Sequence, residues 1–390
     1  MFAVLSTRRK AFARVALVAA ALALAACEPM PSGRAPALDA GAPVPVALIL
    51  PGGTGNSTDE MLARNLKQAA DLAIADLQGV RIDLRVYNAG SDAATSAAMA
   101  KKAVDEGAKV ILGPVFAEAA NAAGVAVAPA GVNVLSFSNN TDIAGGNVFV
   151  LGPTFQNTAN RLVRYAARSG KGRILIVHDE TPAGDLGARA ITSAAARSGG
   201  SVVGTASYPF SQQGVMAAAP GIAAQAKSAG ATSVFFTADT AGALPLLAQT
   251  LPSSGLSSQS AQFVGLTRWD IPSATLSMPG LQGGWFALPD PGLAAQFNAR
   301  FAAAYGEQPH PIAGLAYDGI AAIGALAKSG RADALGAASL TQGSGFAGVG
   351  GVFRLLSDGT NERGLAVAQI QNAQVVVIDP APRSFTGAGF

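Results

Sequence analysis

Four carboxylates stand where short apolar runs end: Asp179 and Glu180 after 173–178, Asp239 after 233–237, and Asp270 after 262–266. Paired carboxylates in such places could exchange protons with a substrate, one as acid and one as base. The same positions suit helix caps and hydrogen bonds into a cleft, and that is the reading taken here. The other reagents of catalysis lack partners. His178 closes an apolar run and His310 lies in Gln308-Pro309-His310-Pro311; no His-x-x-x-His or Cys-x-x-Cys pair is present to hold zinc. No Gly-x-Ser-x-Gly elbow occurs, and Gly170-Lys171-Gly172 is a loop rather than a phosphate cradle. Gly53-Thr54-Gly55-Asn56-Ser57-Thr58 follows an apolar run as a dinucleotide fingerprint would, but Thr58 stands where Gly or Ala is needed. It reads as a turn offering backbone N–H groups to a cleft. The two tryptophans, Trp269 and Trp285, read as buried residues near a hinge. No enzyme, metal or cofactor is expected.

Cys27, the one cysteine, has a different chemistry available. It follows Leu24-Ala25-Ala26, an apolar stretch from Val15, and a basic cluster of Arg8, Arg9, Lys10 and Arg14. That order is a secretory signal, and a cysteine directly after the small residues resembles the bacterial lipobox, where the thiol is acylated and becomes the new N-terminus. Twelve apolar residues are too few to span a bilayer, which takes about 20. The chain is therefore expected to be exported, to fold outside the cytoplasm, and to meet the membrane through a lipid anchor only. Glu28 follows the cysteine where inner-membrane retention uses Asp, which favours the outer membrane.

The formal charge of +3 belongs to the signal. Four of the 27 basic residues and none of the 24 acids precede Cys27, so the mature 364 residues carry a net charge of −1. No basic field is left for nucleic acid. Residues 27–43, rich in Pro, Gly and Ala, read as a flexible tether.

Stepping along the mature chain, apolar runs of strand length alternate with Ala-rich segments of helical period. Strands are expected at 44–50, 81–87, 109–112 and 133–136, with helices at 59–76, 92–106 and 118–126 between them. After Gly152-Pro153-Thr154 the alternation restarts: helices 155–169, 184–198, 215–229 and 242–251 with strands 173–178, 201–208, 233–237 and 262–266. This calls for two parallel, doubly wound sheets. Helices 293–305 and 312–328, packed on the first lobe, and strands 352–356, 365–370 and 374–378 then complete the lobes. The fold class expected is α/β with two doubly wound lobes and three crossovers, near 152, 287 and 340. The divisions are 1–26 signal, 44–152 with 287–340 as lobe 1, 153–286 with 341–380 as lobe 2, and 381–390 as a tail. Because ligands sit beyond the carboxyl ends of such strands, Ser138, Asn139, Asn140, Asp239, Arg268 and Asp270 are the expected cleft residues.

An exported two-lobed chain of this kind resembles the type I periplasmic binding proteins, nearest the leucine/isoleucine/valine-receptor branch of ABC importers. The residues that carry the resemblance are Val110-Ile111-Leu112-Gly113-Pro114, 134–140, 173–179 and Leu315-Ala316-Tyr317-Asp318. The chain departs from that branch's amino-acid clamp. Val115-Phe116-Ala117 stands where serines meet the ligand carboxylate, Ala183 replaces a Tyr before Gly184, and Thr267-Arg268 replaces the acid for the ligand amine; Asp239 is the remaining amine partner. Gly265-Leu266-Thr267-Arg268-Trp269-Asp270 with Gly283-Gly284-Trp285-Phe286 is similar to the penicillin-binding protein activator lipoproteins, which dock on peptidoglycan synthases with the same fold. The resemblance implies a non-catalytic regulator whose partner is a peptidoglycan synthase. The alternative it implies is an importer receptor for a small polar ligand, partnered by an ABC permease.

Overall fold

The computed structural model describes residues 35–385, so the signal, Cys27 and residues 386–390 lie outside the described residues. The first sheet holds β1 (Val44–Leu50), β2 (Ile82–Asn88), β3 (Val110–Leu112), β4 (Asn133–Ser136) and β5 (Val148–Val150) in the order β2-β1-β3-β4-β5. All its pairs are parallel. Alternation along β1 builds both faces. Val44, Val46, Leu48 and Leu50 enter one core, and Ala47 and Ile49 enter the other. Helices α1 (Ser57–Asp76), α2 (Ala93–Asp105) and α3 (Ala117–Val127) link the strands. Small residues such as Ala100, Ala103 and Ala123 let α2 and α3 lie close on the Ala47 face.

The chain crosses over through 151–154 into α4 (Phe155–Arg168), whose start is fixed by a capping box between Thr154 and Asn157. The second sheet then forms from β6 (Arg173–Asp179), β7 (Ser201–Tyr208), β8 (Ser233–Phe236), β9 (Gln262–Gly265) and β10 (Trp285–Leu288), wound with α5 (Pro182–Ser198), α6 (Gln212–Ser228) and α7 (Leu244–Ser253). Leu175 and Val177 of β6 point to the α6–α7 side, and Ile174 and Ile176 to the α4–α5 side. Past β10 the chain returns to the first lobe, where Phe297 and Phe301 of α8 (Pro291–Tyr305) and Ile320 and Ile323 of α9 (Gly314–Ala327) join the core of β1 and α1.

A short helix, α10 (Ala337–Leu340), leads into β11 (Phe346–Gly348), β12 (Gly351–Leu355) and β13 (Asn361–Arg363), which form a small sheet of their own. Phe346, Phe353 and Leu355 belong to the first core. The block 341–380 is therefore divided, and the third crossover runs at 364–365 rather than near 340. Inward and outward residues alternate along β12, which makes it a half-buried strand without saying whose core it enters. The last strands, β14 (Ala366–Gln371) and β15 (Gln374–Asp379), add antiparallel to β10, giving the order β15-β14-β10-β9-β8-β6-β7.

Polar side chains lace the three crossing strands. The Asn361 amide donates to the carbonyls of Val150 (2.7 Å) and Gly152 (2.9 Å), while Asn157 donates to the Asn361 carbonyl. Arg363 donates to the Leu151 carbonyl and pairs with Asp318 of α9 at 3.2 Å. Asp318 also accepts from the Val349 N–H at 2.8 Å. Burial pushes the Asp318 carboxyl up, and Arg363 works against that shift. The Leu315–Asp318 motif thus serves the hinge.

Candidate functional site

The carboxyl ends of the parallel strands of both sheets bound the space between the lobes, as expected for such topology. On the first lobe, the loop after β1 presents three consecutive backbone N–H groups, and all three are taken within the loop's own helix. Gly53, Thr54 and Gly55 donate to one oxygen of Glu60 at 2.7, 3.1 and 3.2 Å. Asn56 caps the helix by accepting from Thr58 and Asp59. The turn read as offering N–H groups to a cleft therefore offers them to Glu60. After β3, Gly113 sits at φ +85 and a Cβ there would meet the Ile49 carbonyl at 2.2 Å, which reserves the position for glycine. Phe116, 37% exposed, then opens α3 without a side-chain cap. After β4, Ser138 is buried and accepts from the Asn140 N–H, Asn140 accepts from the Asp142 N–H, and Asn139 stands exposed.

The second lobe brings together Asp179, Tyr208 and Asp239, while Thr237, at the end of β8, points to the other face of the sheet, against Gly187 of α5. Asp179 and Tyr208 are register partners at the ends of β6 and β7, so their side chains leave the same face of the sheet. Asp179 accepts from the Thr181 hydroxyl, which itself caps α5. Asp239 accepts from the Gly242 N–H at 2.5 Å. Burial raises the Tyr208 phenol above its ordinary value, and the nearby Asp179 and Asp239 carboxylates push it further. The hydroxyls of Tyr208 and Thr237 are both buried and have no hydrogen-bond partner among the described residues. Arg268 and Asp270 form a two-pronged ion pair, with Arg268 Nε 2.6 Å from Asp270. Thr240 ties its loop to theirs by donating to the Ile271 carbonyl at 2.6 Å.

The six residues expected at the cleft thus divide. Asn139 faces across to the second lobe: with Thr141, Thr154, Leu186, Arg189 and Ser193 it lines an interlobe gap of about 180 Å³. Asp239, Arg268 and Asp270 lie on neighbouring loops of the second lobe, the latter two already satisfied by one another. Ser138 and Asn140 brace their own loop. Glu60, Tyr208, Thr237 and Arg189 escaped the sequence reading. Glu60 has a signal in the sequence, an acid in the first turn of a helix after a Gly-rich loop, but an acid there also simply complements the helix dipole. A cavity of about 860 Å³ opens on the flank of the second lobe between α7 and the 278–282 turn, away from the strand ends.

Trp269 is fully buried on the β9–β10 seam. A Cβ on Gly265 would meet its ring at 2.2 Å and one on Gly284 at 2.5 Å. The glycines of this motif make room for the indole. Trp285 packs edge-on against Tyr165 of α4 at 4.9 Å. Both are core residues of the second lobe rather than hinge residues.

A family model for periplasmic binding proteins matches residues 43–374. The chain belongs to the periplasmic binding protein family. That family is periplasmic, in line with the export signal read from the sequence. Solved structures agree on the type I α/β fold. A Rhodospirillum rubrum protein described as a branched-chain amino acid ABC transporter superposes with a TM-score of 0.73 at 17% identity, covering 86% of this chain and 100% of its own. A branched-chain amino acid ABC transporter periplasmic ligand-binding protein of Burkholderia xenovorans gives 0.68 at 17%, covering 88% and 97%. An ABC transporter substrate-binding protein of Desulfitobacterium hafniense in complex with Leu gives 0.62 at 17%, covering 86% and 100%. No curated protein matches in sequence. Asn139 lines the interlobe gap on the first lobe, and Asp179, Tyr208 and Asp239 lie at strand carboxyl ends of the second.

Proposed function

We propose that this chain is a non-catalytic receptor for a small ligand that serves an ABC importer, anchored through lipid on Cys27. The observation that carries the reading is the buried Tyr208 hydroxyl, unpartnered among the described residues, at the end of β7 beside the Asp179 and Asp239 carboxylates. Leaving such a group without a hydrogen bond costs about 1–3 kcal/mol, a cost that a ligand between the lobes removes. The descriptions of the similar solved structures point the same way. The moving bodies are the first sheet with 291–363 and the second sheet with its helices; ligand contacts come from Asn139 and Asp239, with Ser138, Asn140, Arg268 and Asp270 shaping the loops around them. The partner is a permease.

The peptidoglycan-synthase activator is the second reading, favoured by Glu28 after Cys27. A docking module needs exposed aromatic or Arg anchors. The tryptophans of the motifs that suggested it are buried, and Arg268 is held by Asp270. The two readings place the protein differently, since an importer receptor must reach a permease in the inner membrane. Changing Cys27 to Ala should move the protein from the membrane to the soluble fraction, and density-gradient separation of the unaltered protein should find it with inner membrane. An Ala variant that stays with membranes contradicts the anchor; co-migration with outer membrane and capture of a peptidoglycan synthase contradict the importer.

A further inference from the structure

The strand ends facing the cleft carry a lopsided charge. On the first lobe, the loops after β1, β2, β3 and β4 and the first helical turns they lead into contain Asp59, Glu60, Asp92, Glu118 and Asp142 and no Lys or Arg. On the second, the loops after β6, β8 and β9 contain Asp179, Glu180, Asp239 and Asp270 against Arg268 alone, which Asp270 already holds. The three consecutive backbone N–H groups after β1 on the first lobe are filled by Glu60. Arg189 lies by the hinge-side gap, roughly 10 Å along α5 from its start. Two phenylalanines stand exposed at strand ends, Phe116 at 37% on the first lobe and Phe210 at 61% on the second.

On the receptor reading above, we infer that the cleft takes an organic ammonium ligand with an apolar body and no carboxylate. Asp179 and Asp239 face the ammonium, Tyr208 supplies a phenol oxygen beside them, and Phe116 and Phe210 cover the apolar body. Glu60 is the specificity determinant: it occupies the N–H cradle after β1 as a built-in carboxylate and so denies that cradle to a carboxylate on the ligand. The buried phenol is the observation independent of the acids, since it lies fully enclosed and unpartnered on the same sheet face as Asp179. An ammonium donates to all three oxygens at once, and exposed aromatic faces attract cations. A zwitterion would bring a second charge with no free counter-charge at this end, and an unpaired buried charge is costly.

Calorimetry on the full mature chain tests this with matched probes: leucinamide, phenylalaninamide and isopentylamine; leucine and phenylalanine; and 4-methylpentanoate. At least one of the first three should bind at least about tenfold tighter than its zwitterion or acid, the least that one lost charge-assisted contact costs. Asp239→Asn, which keeps an oxygen for the Gly242 N–H, should weaken that ligand at least about tenfold. Glu60→Ala, which frees the cradle, should raise the affinity for the matching zwitterion by a similar factor, with unchanged circular dichroism showing that the loop still folds. Leucine or phenylalanine binding as tightly as its amide in the unaltered chain overturns the inference and leaves the receptor reading standing. If no amine binds, the inference also falls; if the zwitterions and the acid fail as well, the receptor reading falls with it.

Discussion

Replacing Arg363 by Met is expected to cost the folded chain about 3–5 kcal/mol at neutral pH, the usual price of stranding one partner of a buried ion pair. Asp318 is enclosed by α9, Val349 and Arg363, and Arg363 is its cationic partner among the described residues. The guanidinium also donates to the Leu151 carbonyl and lies 5.2 Å from the Phe353 ring centroid, so the substitution loosens a crossing strand as well. Its pH dependence has a definite sign. Burial raises the folded carboxyl above its unfolded value of about 3.9, and without Arg363 nothing but the Val349 N–H opposes that rise. A carboxyl raised on folding opposes stability at pH above its folded value and stops doing so below the unfolded one. The deficit should therefore be largest near pH 7 and shrink as the pH falls toward 4. Urea unfolding at several pH values reads this directly, and Asp318→Asn added to the Met variant should recover part of the loss at pH 7. A deficit under about 1 kcal/mol, or one that grows on acidification, would contradict the clamp.

Trp269→Ala is expected to destabilise by about 3–5 kcal/mol, as for other buried aromatic truncations. The indole is the largest fully buried side chain and packs on Phe236, 6.3 Å between centroids. Gly265→Ala should also be costly, because its methyl would lie 2.2 Å from the indole Nε1. The two substitutions share one cause, so they should not add. In a Trp269→Leu background, Gly265→Ala should cost much less than in the native chain. This cycle separates packing from docking. Were Trp269→Ala within about 1 kcal/mol of the native stability while abolishing capture of a peptidoglycan synthase, the Trp-Asp motif would be a docking anchor after all.

Most of the winding was legible because strand-length apolar runs such as 44–50, 173–178 and 233–237 and the Ala-rich helices between them repeat without interruption. What escaped has physical causes. β5 is three residues long and β10 four, starting directly after Gly283-Gly284, so neither has enough length to show a period. The third crossover moved from 340 to 364 because Phe346 and Phe353 show only that one face is buried; which lobe buries it is decided by α8 and α9, packed far away in sequence. The rule that ligands meet strand carboxyl ends pointed to Asn139, which lines the interlobe gap, and to Asp239, which lies just past the end of β8. Glu60 escaped because its partners are backbone N–H groups, which a sequence does not write. Tyr208 and Thr237 escaped because an unpaired hydroxyl inside a strand end looks like any other polar residue until its surroundings are known.

The central claim is that the two lobes close on a small ligand. Small-angle scattering of the mature chain, before and after saturation with each of the amides, amines, amino acids and the acid above, tests it most directly. The account predicts that the radius of gyration contracts with at least one organic ammonium and relaxes when that ligand is dialysed away. A radius unchanged by every probe, with the chain retained instead on an immobilised peptidoglycan synthase, would contradict it.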